Sequence, residues 1–147
     1  MYACVRSSSY CRAHQGYCGS ARASSSFPRR VVVVDDSALF RDLLVEFLDE
    51  EEGFAVVGTA DDGAAAEALI DLTDPDVVIL DVHLPTVCGL DVLEHTRGRH
   101  SDTVFVVNSS DDAIEQEAVR RGADVCVDKT TPFDEICDAI VHAQDHD

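Results

Sequence analysis

The chain alternates five times between a compact apolar run and a longer stretch with helical spacing of its apolar residues. Residues 31–34, 54–59, 77–80, 104–107 and 125–127 are the compact runs, rich in valine and isoleucine, which predicts strands buried on both faces. After the first, Ser37 can cap a helix whose stripe is Phe40, Leu43, Leu44, Phe47 and Leu48, and the acidic residues 49–52 with Gly53 close it. Gly63 leads into an alanine-rich helix with Leu69, Ile70 and Leu72, stopped by Asp74-Pro75. Residues 90–97 read as a short third helix. Asp111 and Asp112 favour the positive start of a fourth, which Gly122 ends. Thr131, Pro132 and Asp134 mark the start of a fifth helix that buries Phe133, Ile136, Cys137 and Ile140.

Strand and helix in strict alternation predict an α/β domain: a parallel sheet covered on both faces by right-handed crossovers. The domain occupies residues 31–147. Residues 1–30, rich in Ser, Arg, Gly and Ala and without apolar periodicity, are expected to form a disordered N-terminal extension.

Charge sharpens that division. Residues 1–30 hold five Arg and no acid, whereas residues 31–147 hold 29 acids against six Lys plus Arg, a net of −23. A surface so acidic repels nucleic acid, which argues against direct DNA binding. It suits a salt-loaded cytoplasm, where self-repulsion is screened. No apolar run approaches the ~20 residues of a membrane span. The six cysteines form no Cys-x-x-Cys pair, and free thiols in a cytoplasmic chain are expected. Cys4, Cys11 and Cys18 recur every seven residues near His14, a spacing that fits no common zinc pattern.

The candidate chemistry sits where three strands end. In an open α/β sheet, ligands bind outside the carboxyl ends of the strands. The run 77–80 ends on Asp81, the run 31–34 on Asp35 and Asp36, and the run 125–127 is followed closely by Lys129, the sole lysine of the chain. Carboxylates gathered at one point repel unless a cation sits among them, and Mg²⁺ prefers one or two carboxylates with water and phosphate oxygens. A lysine beside them supplies the second charge that phosphoryl transfer needs. No Gly-x-Gly-x-x-Gly or Walker-type loop is present, so nucleotide binding lacks its usual support.

These residues are recognisable as a set. Val31-Val32-Val33-Val34-Asp35-Asp36, Leu80-Asp81-Val82-His83-Leu84-Pro85 with Gly89, and Gly122-Ala123-Asp124 with Lys129 resemble a response regulator receiver domain over residues 31 to about 143. The resemblance implies a flavodoxin-like, doubly wound, five-stranded parallel sheet of order 2-1-3-4-5 with five helices. It makes Asp81 the phospho-acceptor. Asp36, Asp81 and the backbone carbonyl of His83 become Mg²⁺ ligands, with Asp35 acting partly through water, and Lys129 becomes the phosphoryl-oxygen partner. The partners implied are a histidine kinase or phosphotransfer protein and a separate output protein docking on the face of the fourth helix, fifth strand and fifth helix. No nucleic acid or membrane contact is expected, and the chain is expected as a monomer or weak dimer. Nothing follows Asp147 in the sequence, so a stand-alone receiver is the expectation.

Three departures bear on the readout. Asn108 stands where the resemblance places the switch Thr or Ser, and Ser109 follows it as a second candidate phosphoryl contact. Cys126 replaces the aromatic switch residue, and Thr130 follows Lys129 in place of proline. The alternatives are a receiver-like interaction module whose switch has drifted, binding partners without phosphorylation, and a haloacid-dehalogenase-type phosphatase. The latter wants an acid two residues after the nucleophile, where this chain has His83.

The charge alone carries one prediction. Thermal melts of the full chain from low to molar KCl should show a rising midpoint as self-repulsion is screened. A flat series would remove the halophilic expectation and leave the fold expectation standing.

Overall fold

The computed structural model describes residues 3–4 and 27–145. Strands and helices alternate as β1 (Arg29–Val34), α1 (Ala38–Glu50), β2 (Phe54–Ala60), α2 (Gly63–Thr73), β3 (Val77–Asp81), α3 (Gly89–Arg97), β4 (Val104–Asn108), α4 (Asp112–Arg120), β5 (Val125–Val127) and α5 (Phe133–Asp145). All five strands pair in parallel in the order 2-1-3-4-5, as expected. Ser37 caps α1 by accepting from the Phe40 N–H at 3.3 Å, and Asp111 caps α4 by accepting from Ala113 at 2.9 Å. Asp62, just before the expected start at Gly63, caps α2 through the Ala65 N–H at 2.8 Å.

Successive strand residues face opposite sides of a sheet, and the valine runs therefore feed two cores. Val31, Val33, Ile79 and Val106 pack with Leu44, Leu48, Ile136 and Ile140 of α1 and α5. Val32, Val34, Val78, Leu80, Phe105 and Val107 pack with Ile70, Val92, Leu93 and Ala118 of α2, α3 and α4. Leu43 corrects the expected α1 stripe: it is 47 % exposed. Each helical step turns by about 100°, so the line through Phe40, Leu44 and Leu48 leaves Leu43 on its shoulder. Leu72, near the end of α2, is exposed for the same reason, since Ala66 and Ile70 carry that helix's buried line.

One element was not foreseen. Ala3–Cys4 forms a two-residue strand parallel to β5 on its outer edge, with Ala3 opposite Val125 and Cys4 opposite Cys126. Edge pairing satisfies backbone N–H and C=O groups and needs no apolar periodicity, so the hydropathy pattern carried no sign of it. Arg29 and Arg30, placed in the expected extension, instead open β1, and residues 1–2 and 5–26 of that extension, with Cys11, His14 and Cys18, lie outside the described residues. Among the described residues no helix is long and apolar enough to cross a membrane.

The end of the sheet remote from the strand carboxyl ends is tied by charge. His100, buried before β4, sets Nε2 at 2.9 Å from Asp71 Oδ1 and Nδ1 at 2.8 Å from Asp74 Oδ1. Arg99 also binds Asp71, at 2.9 Å, and Arg30 donates to the Thr73 and Asp74 carbonyls. Two carboxylates on two ring nitrogens require both nitrogens to be donors, that is, an imidazolium. Burial works against that charge, but the Asp71 and Asp74 hydrogen bonds outweigh it and raise the His100 pKa. Asp71 is correspondingly lowered by its hydrogen bonds to His100 and Arg99.

The sign of the pH effect follows. A histidine raised in the folded state stabilises fully below its unfolded pKa of about 6.5, and that contribution is lost as pH rises through the folded pKa. Melting temperature should fall as pH rises above about 6.5, by roughly 4 °C in all if the clamp contributes about 1 kcal/mol. His100→Gln should flatten most of that slope. Equal slopes in both proteins would show that the clamp does not govern this pH range.

Candidate functional site

The carboxyl ends of β1 and β3 bring the predicted acids together. Asp35, directly after β1, is 1 % exposed, and Asp81, the last residue of β3, is 5 % exposed; Asp36 faces solvent. Each offers a carboxylate oxygen, and these oxygens lie within 4.8 Å of one another. Lys129 reaches back from the loop after β5. Its Nζ donates to Asp35 Oδ1 at 3.0 Å, lies 3.6 Å from Asp81 Oδ2, and sits 4.8 Å from the centre of the Phe40 ring. Asp35 Oδ1 also accepts from the Ser37 N–H at 2.9 Å, and Asp81 Oδ1 from the His83 N–H at 3.1 Å. The His83 side chain is exposed.

Burial pushes the Asp81 pKa up, and the neighbouring charges of Asp35 and Asp36 add to it. The His83 N–H and the Lys129 ammonium oppose the rise without cancelling it. For Lys129 partial burial acts against the charge, but the Asp35 hydrogen bond and the Asp81 and Asp35 carboxylates raise its pKa overall. One ammonium against three carboxylates leaves the cluster short of positive charge. A donor set made only of carboxylate oxygens, one of them open to solvent, fits a hard divalent cation such as Mg²⁺.

Two loops hold this geometry, and in them Asp128 and Thr86 are residues that the sequence reading did not single out. After β5, Asp128 accepts from the Thr130 N–H at 2.8 Å and from the hydroxyls of Thr130 and Thr131, while its own N–H donates to Thr131 Oγ1 at 3.1 Å. The only prior signal was an Asp before two threonines, a composition that favours side-chain-to-backbone turns. After β3, Gly89 donates to the Val82 carbonyl at 2.8 Å, and a Cβ there would stand 2.1 Å from the Asp81 carbonyl oxygen. Thr86 takes a left-handed φ of 66° and bridges to α2, accepting from the Ala64 N–H at 3.0 Å.

The switch candidates separate. Asn108, at the end of β4, pairs in register with Asp81 on one side and Val127 on the other; it is 2 % exposed, and its Oδ1 has no hydrogen-bond partner. Ser109 donates its N–H to Val127 at 2.8 Å, and its hydroxyl accepts from the Asp111 N–H at 3.2 Å, toward the start of α4. Cys126 is buried on the α2–α3–α4 face in the same cluster as Val107, Ala118 and Ala123. Gly122-Ala123-Asp124 has a structural role. Asp124 accepts from Arg97 at 2.8 Å and from the Phe105 N–H at 2.9 Å, with the Arg97 guanidinium 4.7 Å from the centre of the Phe105 ring.

Comparison with known proteins agrees with this geometry. A family model described as response regulator receiver domain matches residues 31–141. Among curated relatives, a protein-glutamate methylesterase/protein-glutamine glutaminase of Koribacter versatilis is 42 % identical over 82 residues, 56 % of this chain and 23 % of that protein. The transcriptional regulatory protein PdtaR of Mycobacterium tuberculosis is 38 % identical over 87 residues, 59 % of this chain and 42 % of that protein. The chain thus spans well under two thirds of the length of the curated relatives it matches. Among solved structures, the signal receiver domain of the response regulator NarL from Mycobacterium tuberculosis superposes with a TM-score of 0.76 at 34 % identity, covering 82 % of this chain and 99 % of that one. The response regulator domain of Thermotoga maritima CheB gives 0.75 at 28 % identity, covering 82 % and 98 %.

The Gly89 contact is testable. Gly89→Ala must shift either α3 or the Asp81 backbone, an overpacking that typically costs about 1–3 kcal/mol. The urea midpoint should fall with an unchanged slope. An unaltered midpoint would show that the loop has room the geometry denies.

Proposed function

The chain belongs to the response regulator receiver domain family, and from that premise we propose that Asp81 accepts a phosphoryl group from a histidine kinase or phosphotransfer protein and that the modified domain signals to a partner protein. The observation that carries this reading is the placement of buried Asp81 between two further carboxylates and the sole lysine of the chain. Asp35, Asp36, Asp81 and the backbone carbonyl of His83 would hold Mg²⁺. Bound there, the ion would neutralise the phosphoryl oxygens against the carboxylates.

The protein's own residues have separable tasks. One Asp81 carboxylate oxygen attacks phosphorus, the bond from phosphorus to the donor nitrogen breaks, and the electron pair leaves with the imidazole. Because His83 N–H already holds Asp81 Oδ1 at 3.1 Å, the carboxylate presents Oδ2, the oxygen 3.6 Å from Lys129. Lys129 can turn its ammonium from Asp35 toward the incoming phosphoryl oxygens without leaving the site. Positioning and charge are most of what such a transfer needs.

The readout would pass along one row of the sheet. Asp81, Asp35's neighbour in the site, shares a register with Asn108, and Asn108 with Val127. The Asn108 carboxamide, buried and with an unpartnered oxygen, can turn its N–H₂ toward a phosphoryl group. Ser109 is the second donor, if its hydroxyl rotates away from the Asp111 N–H. That row ends at the α4–β5–α5 face, the surface assigned to the output partner. A second reading, an interaction module that binds without phosphorylation, draws on Cys126: a small buried side chain offers no ring to move between two positions.

Incubation with acetyl phosphate should add one phosphoryl group to Asp81 in the presence of Mg²⁺, and neither Asp81→Asn nor the EDTA-treated protein should label. Full labelling of Asp81→Asn, or labelling indifferent to EDTA, would overturn the acceptor assignment. Partner binding unchanged between the wild type and Asp81→Asn under labelling conditions would favour the second reading.

A further inference from the structure

We propose that Phe40 is a positioning residue for Lys129: its ring face carries the ammonium beside the acid cluster and keeps it there while the ammonium changes partners. The effect on phosphoryl transfer rests on the acceptor reading above, whereas the contact itself does not. Lys129 Nζ stands over the ring, 4.8 Å from its centre. A cation within about 6 Å of the centre is drawn to the negative face of an aromatic ring.

The carboxylates alone hold Lys129 loosely. Its Nζ donates to Asp35 Oδ1 at 3.0 Å, and Asp81 Oδ2 lies farther off at 3.6 Å. The side chain is 43 % exposed, and its flexible four-carbon stem ends in a strongly hydrated head that water can draw away. A hydrogen bond also ties the ammonium to one acceptor. Turning from Asp35 toward phosphoryl oxygens on the Asp81 side breaks that close bond. The ring face attracts the charge anywhere above it, so the ammonium can cross between acceptors without being released to solvent.

The ring is itself held. Phe40 and Phe133 meet edge to face with centres 5.7 Å apart and planes at 84°, and Phe133 meets Phe47 at 5.6 Å and 64°. All three pack against the core on the α1–α5 face of the sheet. Along the backbone, Asp35 Oδ1 accepts from the Ser37 N–H at 2.9 Å, and Ser37 Oγ accepts from the Phe40 N–H at 3.3 Å. The carboxylate and the ring that engage Lys129 therefore belong to one block at the start of α1. Phe133 follows in the stretch that carries the lysine and joins it to that block.

The test replaces Phe40 in the full chain with phenylalanines bearing one, two or three ring fluorines, which drain the negative face and keep the shape. With acetyl phosphate and Mg²⁺, the labelling rate of Asp81 should fall with each added fluorine. Phe40→Leu should lose about fivefold, the size of an ordinary cation–π contact. A second readout does not depend on labelling. Lys129 is the sole lysine, so isotope-labelled lysine gives one ε-methylene NMR signal. Shielding by the ring should set that signal upfield of its place in the urea-denatured chain, and Phe40→Leu should return it there. Rates without trend across the fluorine series, or an ε-methylene signal that Phe40→Leu leaves in place, would overturn the proposal. Absence of labelling from the wild type would sink the acceptor reading instead, and the ε-methylene shift would then uphold or overturn the hold of the ring on Lys129.

Discussion

Three carboxylates crowded at the ends of two adjacent strands repel one another, and a single lysine answers only part of that charge. Like charges about 4 Å apart interact by roughly 4 kcal/mol at an effective dielectric near 20, so the arrangement persists only because the sheet holds it. β1 and β3 are hydrogen-bonded neighbours, which leaves Asp35 and Asp81 no freedom to separate. Lys129 reaches the acids from a turn that Asp128 and two threonines lock. The shortfall of charge makes the site receptive to a divalent cation and, with it, to a phosphoryl group.

The scaffold bears that strain by separating tasks along the strand direction. At one end lie the underneutralised acids. At the other, His100 answers Asp71 and Asp74, and Arg30 answers the carbonyls that end α2, so the charges there are paired and stabilising. Between the two ends the valine-rich strands are buried on both faces, and a change in one face cannot be absorbed without disturbing the other. Arg97, clasping Asp124 and stacked over Phe105, ties α3 to the β4–β5 side of the sheet.

The edge beyond β5 gives the same surface a second occupant. Cys126 is a small buried thiol, and the strand that carries it accepts Ala3–Cys4 as a neighbour. Asn108 stands in register between Asp81 and Val127 on one side of β5, and the backbone of residues 3–4 pairs with its other edge.

Much of this was legible in the chain itself. Runs of β-branched residues separated by helical stripes determine a parallel α/β sheet, because only burial on both faces tolerates strands without polar alternation. Asp35, Asp36, Asp81 and Lys129 were legible as a site because such a sheet puts the ends of its strands on one side. What the sequence could not decide depends on angles and contacts between elements. Leu43 has the spacing of a core residue, and only the seating of α1 on the sheet leaves it half exposed. The unpartnered oxygen of Asn108, the lock formed by Asp128 and the clamp around His100 join residues whose neighbours are set by packing, not by sequence spacing. Ala3–Cys4 is the extreme case: backbone pairing at a sheet edge is indifferent to side-chain pattern, so only the tertiary structure could set Cys4 opposite Cys126.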